Sequence, residues 1–146
     1  MIHQASTARR ANDLVQLVYA SRTGGAFDHF AAQQIIATSR RRNWRAGVSG
    51  SLLFTGTGFV QVLEGRRDAV QELFGRIAID KRHNNVRMVL QAPLAKRAFP
   101  DWTMRCVFDA RLDGDIDTLL DTPANSSLIV ARITNRMAAE AFLGAR

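Results

Sequence analysis

The sequence predicts an α+β domain: one mixed sheet with two helices on one face and a helical extension on the other. Two observations predict the sheet and its first layer. Short runs with strand periodicity are interrupted by two segments of helical periodicity, in the order β-α-β-β-α-β-β. Glycines at 24, 47, 56, 58 and 65 fall where one run gives way to the next. A third observation predicts the second layer. Val18, Val60 and Val62 alternate with the residues that face the helices and so need another cover, which a stripe of Ile129, Ile133, Met137 and Ala141 offers.

Residues 14–21 alternate around Val15, Leu17 and Tyr19 and break at Thr23-Gly24-Gly25, a strand closed by a turn. Asp28 is placed as the N-cap of the first helix, whose apolar stripe is Phe27, Phe30, Ala31, Ile35 and Ile36. The arginines from Arg40 onward suit the negative end of its dipole, and Gly47 ends it. Residues 51–55 and 59–64 flank Gly56-Thr57-Gly58 and read as a β-hairpin. Val70, Leu73, Phe74 and Ile77 occupy i, i+3, i+4 and i+7 of a helix over 67–80. Residues 85–91 and 103–108 are two more strands, with Pro93 and Pro100 confining the ladder between them. This order is the split βαβ, ferredoxin-like arrangement. The extension carries a helix at 116–121 and, after Pro123, another from Ser126 to about Leu143, capped near Asn125 or Ser126. The expected division is a flexible terminus at 1–12, a domain at 13–110 and a two-helix extension at 111–146.

A chain of 146 residues is long enough for one self-standing core. No apolar run approaches the ~20 residues a membrane helix needs, and residues 1–12 lack the apolar stretch of a secretory signal. A soluble, cytoplasmic chain is expected. Cys106 is the sole cysteine, which excludes an intramolecular disulfide and a cysteine-pair zinc site. The net charge of +7 is carried by arginine, with Lys81 and Lys96 the only lysines and a cluster at Arg40, Arg41, Arg42 and Arg45. Nucleic-acid binding is therefore the alternative function to weigh. Against it, Asp109, Asp113, Asp115, Asp117 and Asp121 crowd a stretch that would repel phosphate, and the arginines fit a solvated helix end.

His3, His29 and His83 lack metal-ligand spacing, and there is no nucleophile elbow or phosphate-cradling glycine loop, so neither a metal site nor enzyme activity is expected. RNA recognition on such a sheet would need aromatics where Val18, Val60 and Val62 stand. What is unusual is polar residues on a face that should be core. Tyr19 is in line with Val15 and Leu17, and Gln61 with Phe59 and Leu63. A buried glutamine needs partners for both ends of its amide. A local tyrosine–glutamine hydrogen bond plugging a polar gap is one reading. Asn43 and Arg82 project from the ends of the two helices over the same face, and four polar groups converging there suggest a bound heteroaromatic ligand.

A series of stretches then carries a resemblance. They are Leu17-Val18-Tyr19-Ala20-Ser21-Arg22, Ser39 with Asn43, Gly47-Val48-Ser49-Gly50-Ser51-Leu52-Leu53, and Phe59-Val60-Gln61-Val62-Leu63-Glu64-Gly65. Asp80-Lys81-Arg82-His83 and Arg97-Ala98-Phe99-Pro100-Asp101-Trp102-Thr103-Met104 follow. In this order and at this spacing, the chain from residue 14 to about 108 resembles the BLUF family of flavin-binding blue-light receptors, of the short single-domain type. The resemblance implies a flavin, FAD with FMN as the other possibility, held without a covalent bond between the two helices. It implies Tyr19 as electron donor and Gln61 as the relay between tyrosine and flavin. Asn43 would meet the polar edge of the ring, with Ser39 and Arg82 in support. Ile35 and Ile77 would sandwich the ring, Leu52 and Phe59 would lie near it, and Arg76, Asp80 and His83 match positions near the ribityl chain or the last helix turn. Trp102 and Met104 match a pair that exchanges environment with light. Arg42 departs from the family's usual His or Asn, leaving open whether it meets a flavin phosphate or solvent. The resemblance further implies self-association and a separate effector protein, in some relatives a cyclic-di-GMP phosphodiesterase.

Overall fold

The computed structural model describes residues 13–24, 29–100, 105–122 and 126–144, the side chains of 29 and 140–144 excepted. The elements are β1 (Leu14–Thr23), α1 (His29–Ala46), β2 (Ser49–Phe54), β3 (Gly58–Arg66), α2 (Arg67–Ala78), β4 (His83–Pro93) and β5 (Arg105–Phe108). A 3-10 turn (Ala110–Leu112), α3 (Asp113–Asp121) and α4 (Ser127–Gly144) follow. The sheet order is β4-β1-β3-β2-β5. Neighbours are antiparallel except β2 and β5, which run parallel. This is the ferredoxin-like order with a fifth strand added. The ladder expected between β4 and β5 does not exist, because they occupy opposite edges of the sheet. The crossover through α2 returns β4 to the free edge of β1, and only the edge of β2 is left for the last strand.

Strand alternation sorts the residues into two cores. On one face Val15, Leu17 and Tyr19 of β1 and Phe59 and Leu63 of β3 lie under α1 and α2. Ala32 and Ile35 of α1, and Val70, Leu73 and Ile77 of α2, close that layer. On the other face Val18, Val60 and Val62 are fully buried under the extension, as the sequence predicts. The cover is double. Ile116, Leu119 and Leu120 of α3 pack over β1, β3 and β4, while Val130, Ile133 and Met137 of α4 lie over β2 and β5.

Two elements differ from the sequence reading. Phe30 is 67% exposed, so it is not part of the α1 stripe. It stands five residues before Ile35, about 140° round a helix of 3.6 residues per turn. Phe27 and Asp28, the proposed stripe residue and N-cap, lie outside the described residues, as does Asn125. The third helix begins at Asp113, not at 116. The Asp109 carboxylate accepts the Arg111 N–H at 3.1 Å to start the preceding turn, and Asp113 and Asp115 then sit in the first helical turn, where the dipole favours negative charge.

The β1–β4 ladder is irregular on both sides of Tyr19, between Val18 and Tyr19 and between Ala20 and Arg22. Asn85 absorbs part of this at φ 53, in the left-handed region. Such bulges re-aim side chains and recur beside functional sites.

Candidate functional site

Tyr19 of β1 and Gln61 of β3 are register partners, and Leu52 of β2 pairs with Gln61 from the other side. The register turns Tyr19 and Gln61 toward the helices, and the Tyr19 hydroxyl donates to Gln61 Oε1. Both residues are buried, at 1% and 3% exposure. Burial pushes the phenol pKa far up, and the Asp80 carboxylate adds to the effect. Tyr19 therefore holds its proton at any physiological pH.

Aromatic groups wall this pair. The Phe74 ring lies 5.6 Å from that of Tyr19, and the His83 ring meets it edge-on at 6.1 Å. Phe59 lies 5.2 Å from His83 and stacks on Phe54 at 5.0 Å. His83 Nδ1 is 2.9 Å from Ser21 Oγ. Burial lowers the His83 pKa below its ordinary value and so favours the neutral ring, against the pull of Asp80, which raises it.

Asn43 is fixed by the way α1 ends. Gly47 adopts φ 69, the Val48 N–H donates to the Asn43 carbonyl at 2.9 Å, and the Gly47 N–H donates to that of Trp44 at 3.3 Å. This is a Schellman cap. It holds Asn43 in the last turn, 1% exposed. Ile35, Ser39 and Asn43 repeat every fourth residue and so share one stripe of α1. Ile35 is buried and Ser39 half-buried. Ile77 is buried on the last turn of α2.

Past α2 the chain turns through the Asp80 N–H bond to Ile77 O at 3.1 Å. The Arg82 guanidinium forks onto Asp80, with Nη2 at 2.6 Å and Nε at 3.0 Å from its carboxylate oxygens. The Arg82 hydrogen bond, helped by the backbone N–H of the same residue, pulls the Asp80 pKa down to about 2. Asp80 thus keeps a negative charge that Tyr19 and His83 both feel. Arg76 is exposed and paired with Glu72 at 3.0 Å. Trp102 and Met104 lie outside the described residues; Arg105, which follows them, pairs with Ser51 beside Leu52.

Three contributors escaped the sequence reading. Ser21 follows Tyr19 by two residues on the same face, and Phe74 already belonged to the α2 stripe, so periodicity offered a signal for both. Glu64, fully buried, is the third. Its carboxylate accepts from Gln16 Nε2 and from the Phe99 N–H, each at 2.8 Å, pinning the segment that leads toward β5. An acid inside an apolar run was the available clue.

The donor set fits a flavin. Two carboxamides, Asn43 and Gln61, have the donors and acceptors to complement a pyrimidine-dione edge, and Ile35 and Ile77 are buried apolar residues of the two helices above the sheet. Among the described residues no group of His, Cys, Asp or Glu is placed to hold a metal ion, and no helix is long and apolar enough to cross a membrane. A cleft of about 730 Å³ opens between the end of α1 and the start of α2; neither Tyr19 nor Gln61 lines it.

The structure thus sets a buried tyrosine–glutamine pair on a ferredoxin-like sheet beneath two helices. Comparison with known proteins gives the family: the chain belongs to BLUF, sensors of blue-light using FAD, whose model matches residues 14–105. The photoactivated adenylate cyclase subunit beta of Euglena gracilis is 39% identical over 92 residues, 62% of this chain and 11% of that protein. The dark-state structure of BlrB, a BLUF protein, superposes with a TM-score of 0.76 at 37% identity, covering 89% of this chain and 98% of that one. Klebsiella pneumoniae BlrP1 with FMN and cyclic diGMP gives a TM-score of 0.64 at 31% identity, over 88% of this chain and 35% of that one. The chain thus spans about a tenth of the cyclase it matches. The nucleic-acid alternative finds no support. The acidic stretch that argued against it is engaged internally, Asp113 and Asp117 by Arg22, Asp109 by Arg111 and Arg136, and Asp115 by Arg132.

Proposed function

We propose that this chain is a non-catalytic blue-light receptor that binds FAD between α1 and α2 and signals by protein contact. The observation that carries the reading is the buried Tyr19–Gln61 hydrogen bond on the helix-covered face. A bound flavin supplies the absorption of blue light and an electron acceptor. Tyr19 supplies the electron. A phenol that has lost an electron becomes strongly acidic, and in a desolvated site its proton leaves along the hydrogen bond already made, to Gln61 Oε1. Recombination would return the electron and a proton to Tyr19 and leave the Gln61 amide rotated or tautomerised, and its changed hydrogen bonding to a bound flavin would shift the absorption to the red. Asn43 would hold the polar edge of a bound ring, with Ser39 and Arg82 in support, and Ile35 and Ile77 would flank it, with Leu52 and Phe59 alongside. Arg76, Asp80 and His83 would lie near the ribityl chain or serve the last helix turn.

The scale required is small. Remaking one buried hydrogen bond is worth about 1 kcal/mol, enough to shift an output equilibrium several-fold. Trp102 and Met104 read the new pattern at the entrance to β5, and α4, lying over β2 and β5, passes it to a second copy of the chain or to a separate effector, with a cyclic-di-GMP phosphodiesterase one class of such effector. The test is Tyr19→Phe, which keeps the ring volume and removes the donor, together with Gln61→Leu. Both variants should retain flavin and lose the light-induced red shift. A normal photocycle in either variant refutes the assigned relay.

A further inference from the structure

The extension is fastened to the sheet by a charged clamp. Arg22, near the end of β1, donates from Nη1 to Asp113 Oδ1 at 2.8 Å and from Nη2 to the Asp117 carboxylate, so its guanidinium is forked across the first turns of α3. Asp113 Oδ1 also accepts from the hydroxyls of Thr55 at 2.6 Å and Thr57 at 2.7 Å, which brings in the turn between β2 and β3. A Cβ on Gly58 would lie 2.9 Å from both Arg22 Nη1 and Ile116 Cδ1, so a glycine at the head of β3 is what lets clamp and helix close on the strand. The clamp stands on the same ladder as the buried pair. Tyr19 and Gln61 are register partners, and Ser21–Phe59 and Arg22–Gly58 are later pairs of that ladder. Three residues of strand separate Tyr19 from Arg22, roughly 10 Å. Alternation turns Tyr19 and Ser21 toward the site and Arg22 toward α3, so one short stretch of backbone serves both faces of the sheet. On the site side Ser21 Oγ is 2.9 Å from His83 Nδ1, and the His83 ring packs against those of Tyr19 and Phe59. The β1–β4 register shifts between Ala20 and Arg22, so this end of β1 is held by the clamp where its regular pairing with β4 is interrupted.

We propose that the Arg22–Asp113–Asp117 clamp is the joint that couples α3 to the Tyr19–Gln61 site, and that Arg22 is a positioning residue whose grip on α3 loosens in the light state, an assignment that rests on the flavin reading above. It gives the extension a connection at the end of β1, separate from the route through β5 and α4. A rearranged Gln61 alters the packing of Tyr19, His83 and Phe59. Ser21 follows His83, and the adjoining Arg22 follows Ser21. The planar fork of a guanidinium on two carboxylates is lost when its geometry is lost. Arg22 is 21% exposed and its two acids 40% and 64%, so salt screens the clamp and loosens α3 as light does. Return to the dark state re-forms the clamp, and a chain without it returns more slowly.

The test follows hydrogen exchange of the α3 amides in dark and light, at low and high salt, on the flavin-loaded protein, together with the rate of dark recovery. Wild type should exchange at α3 at least about fivefold faster under light, the lower end of the usual coupling between two sites, and Tyr19→Phe should show no light effect. Arg22→Gln should exchange fast already in the dark, gain nothing from light or salt, and recover several-fold more slowly. Asp113→Asn keeps an oxygen for both threonine hydroxyls and removes only the charge; it should shift α3 exchange in the same direction. Arg22→Lys, which restores the charge without the fork, should restore part of the dark protection and of the light response. A light effect on α3 that survives in Arg22→Gln, or α3 exchange that ignores light in a wild type with a normal photocycle, overturns the proposal and leaves the flavin reading standing. A wild type without a photocycle refutes the flavin reading, and the coupling falls with it.

Discussion

Tyr19, Gln61 and Asn43 are polar side chains placed where the strand and helix periods call for apolar ones, and each is at most 3% exposed. A buried carboxamide without its ligand partner costs about 1–3 kcal/mol, and the same range is lost when a ligand edge loses its carboxamide. Asn43→Ala should therefore weaken flavin binding by roughly tenfold or more, measured by titrating apoprotein with FAD; unchanged affinity would show that Asn43 does not touch the ring. Asp80 gives a second test at this scale. Its carboxyl is held down to about 2 by Arg82, below its unfolded value, so it contributes stability that is present above the ordinary carboxylate range and lost as pH falls from about 4 toward 2. Asp68 and Asp113 are also lowered and lose stability in the same region, so the informative quantity is a difference. Urea unfolding of Asp80→Asn should show a shallower loss of stability over that window than wild type. Parallel curves would mean that the Asp80–Arg82 pair contributes nothing to folding.

The extension shows at the scale of elements how two faces of one sheet are put to different uses. α1 and α2 frame the polar site, whereas α3 and α4 close a dry core in which Ile133 and Met137 are fully buried. Ile133→Ala should cost about 2–5 kcal/mol in stability, as large-to-small core substitutions do, while leaving the flavin spectrum unchanged. A spectral change as large as the stability loss would show the two faces to be coupled in the dark state. Removing residues 126–146 should uncover Leu53 and Val107, increase binding of an apolar dye, and abolish light-dependent change in assembly while the flavin stays bound. The α4 stripe was legible because Ile129, Ile133 and Met137 repeat at helical spacing. The start of α3 was not, since Asp109, Asp113 and Asp115 set it by capping and dipole, which an apolar stripe does not record. Phe30 misled for a similar reason: its apolarity suggested core, but its angle on α1 points it to solvent. The edge chosen by β5 depends on which strand is still open after four have paired, a property of the whole sheet that no local run encodes.

For the whole molecule, the sequence carried the site further than its connections. Strand alternation alone puts Tyr19 and Gln61 on the same face, and the β1–β3 register joins them directly. The Asp80–Arg82 fork, the Schellman cap that fixes Asn43, and the Glu64 carboxylate pinning Phe99 all depend on chain segments meeting in three dimensions, and only the fold reveals them. The +7 charge likewise has a place: part of it balances the acids of α3, and part lines the cleft beside the site. The most direct test of the central claim is the absorption spectrum of the purified protein before, during and after blue light. The account predicts a yellow protein with a non-covalent flavin whose spectrum shifts to the red under illumination and recovers in the dark. A colourless protein that refuses added FAD, or a bound flavin whose spectrum ignores light, would contradict it.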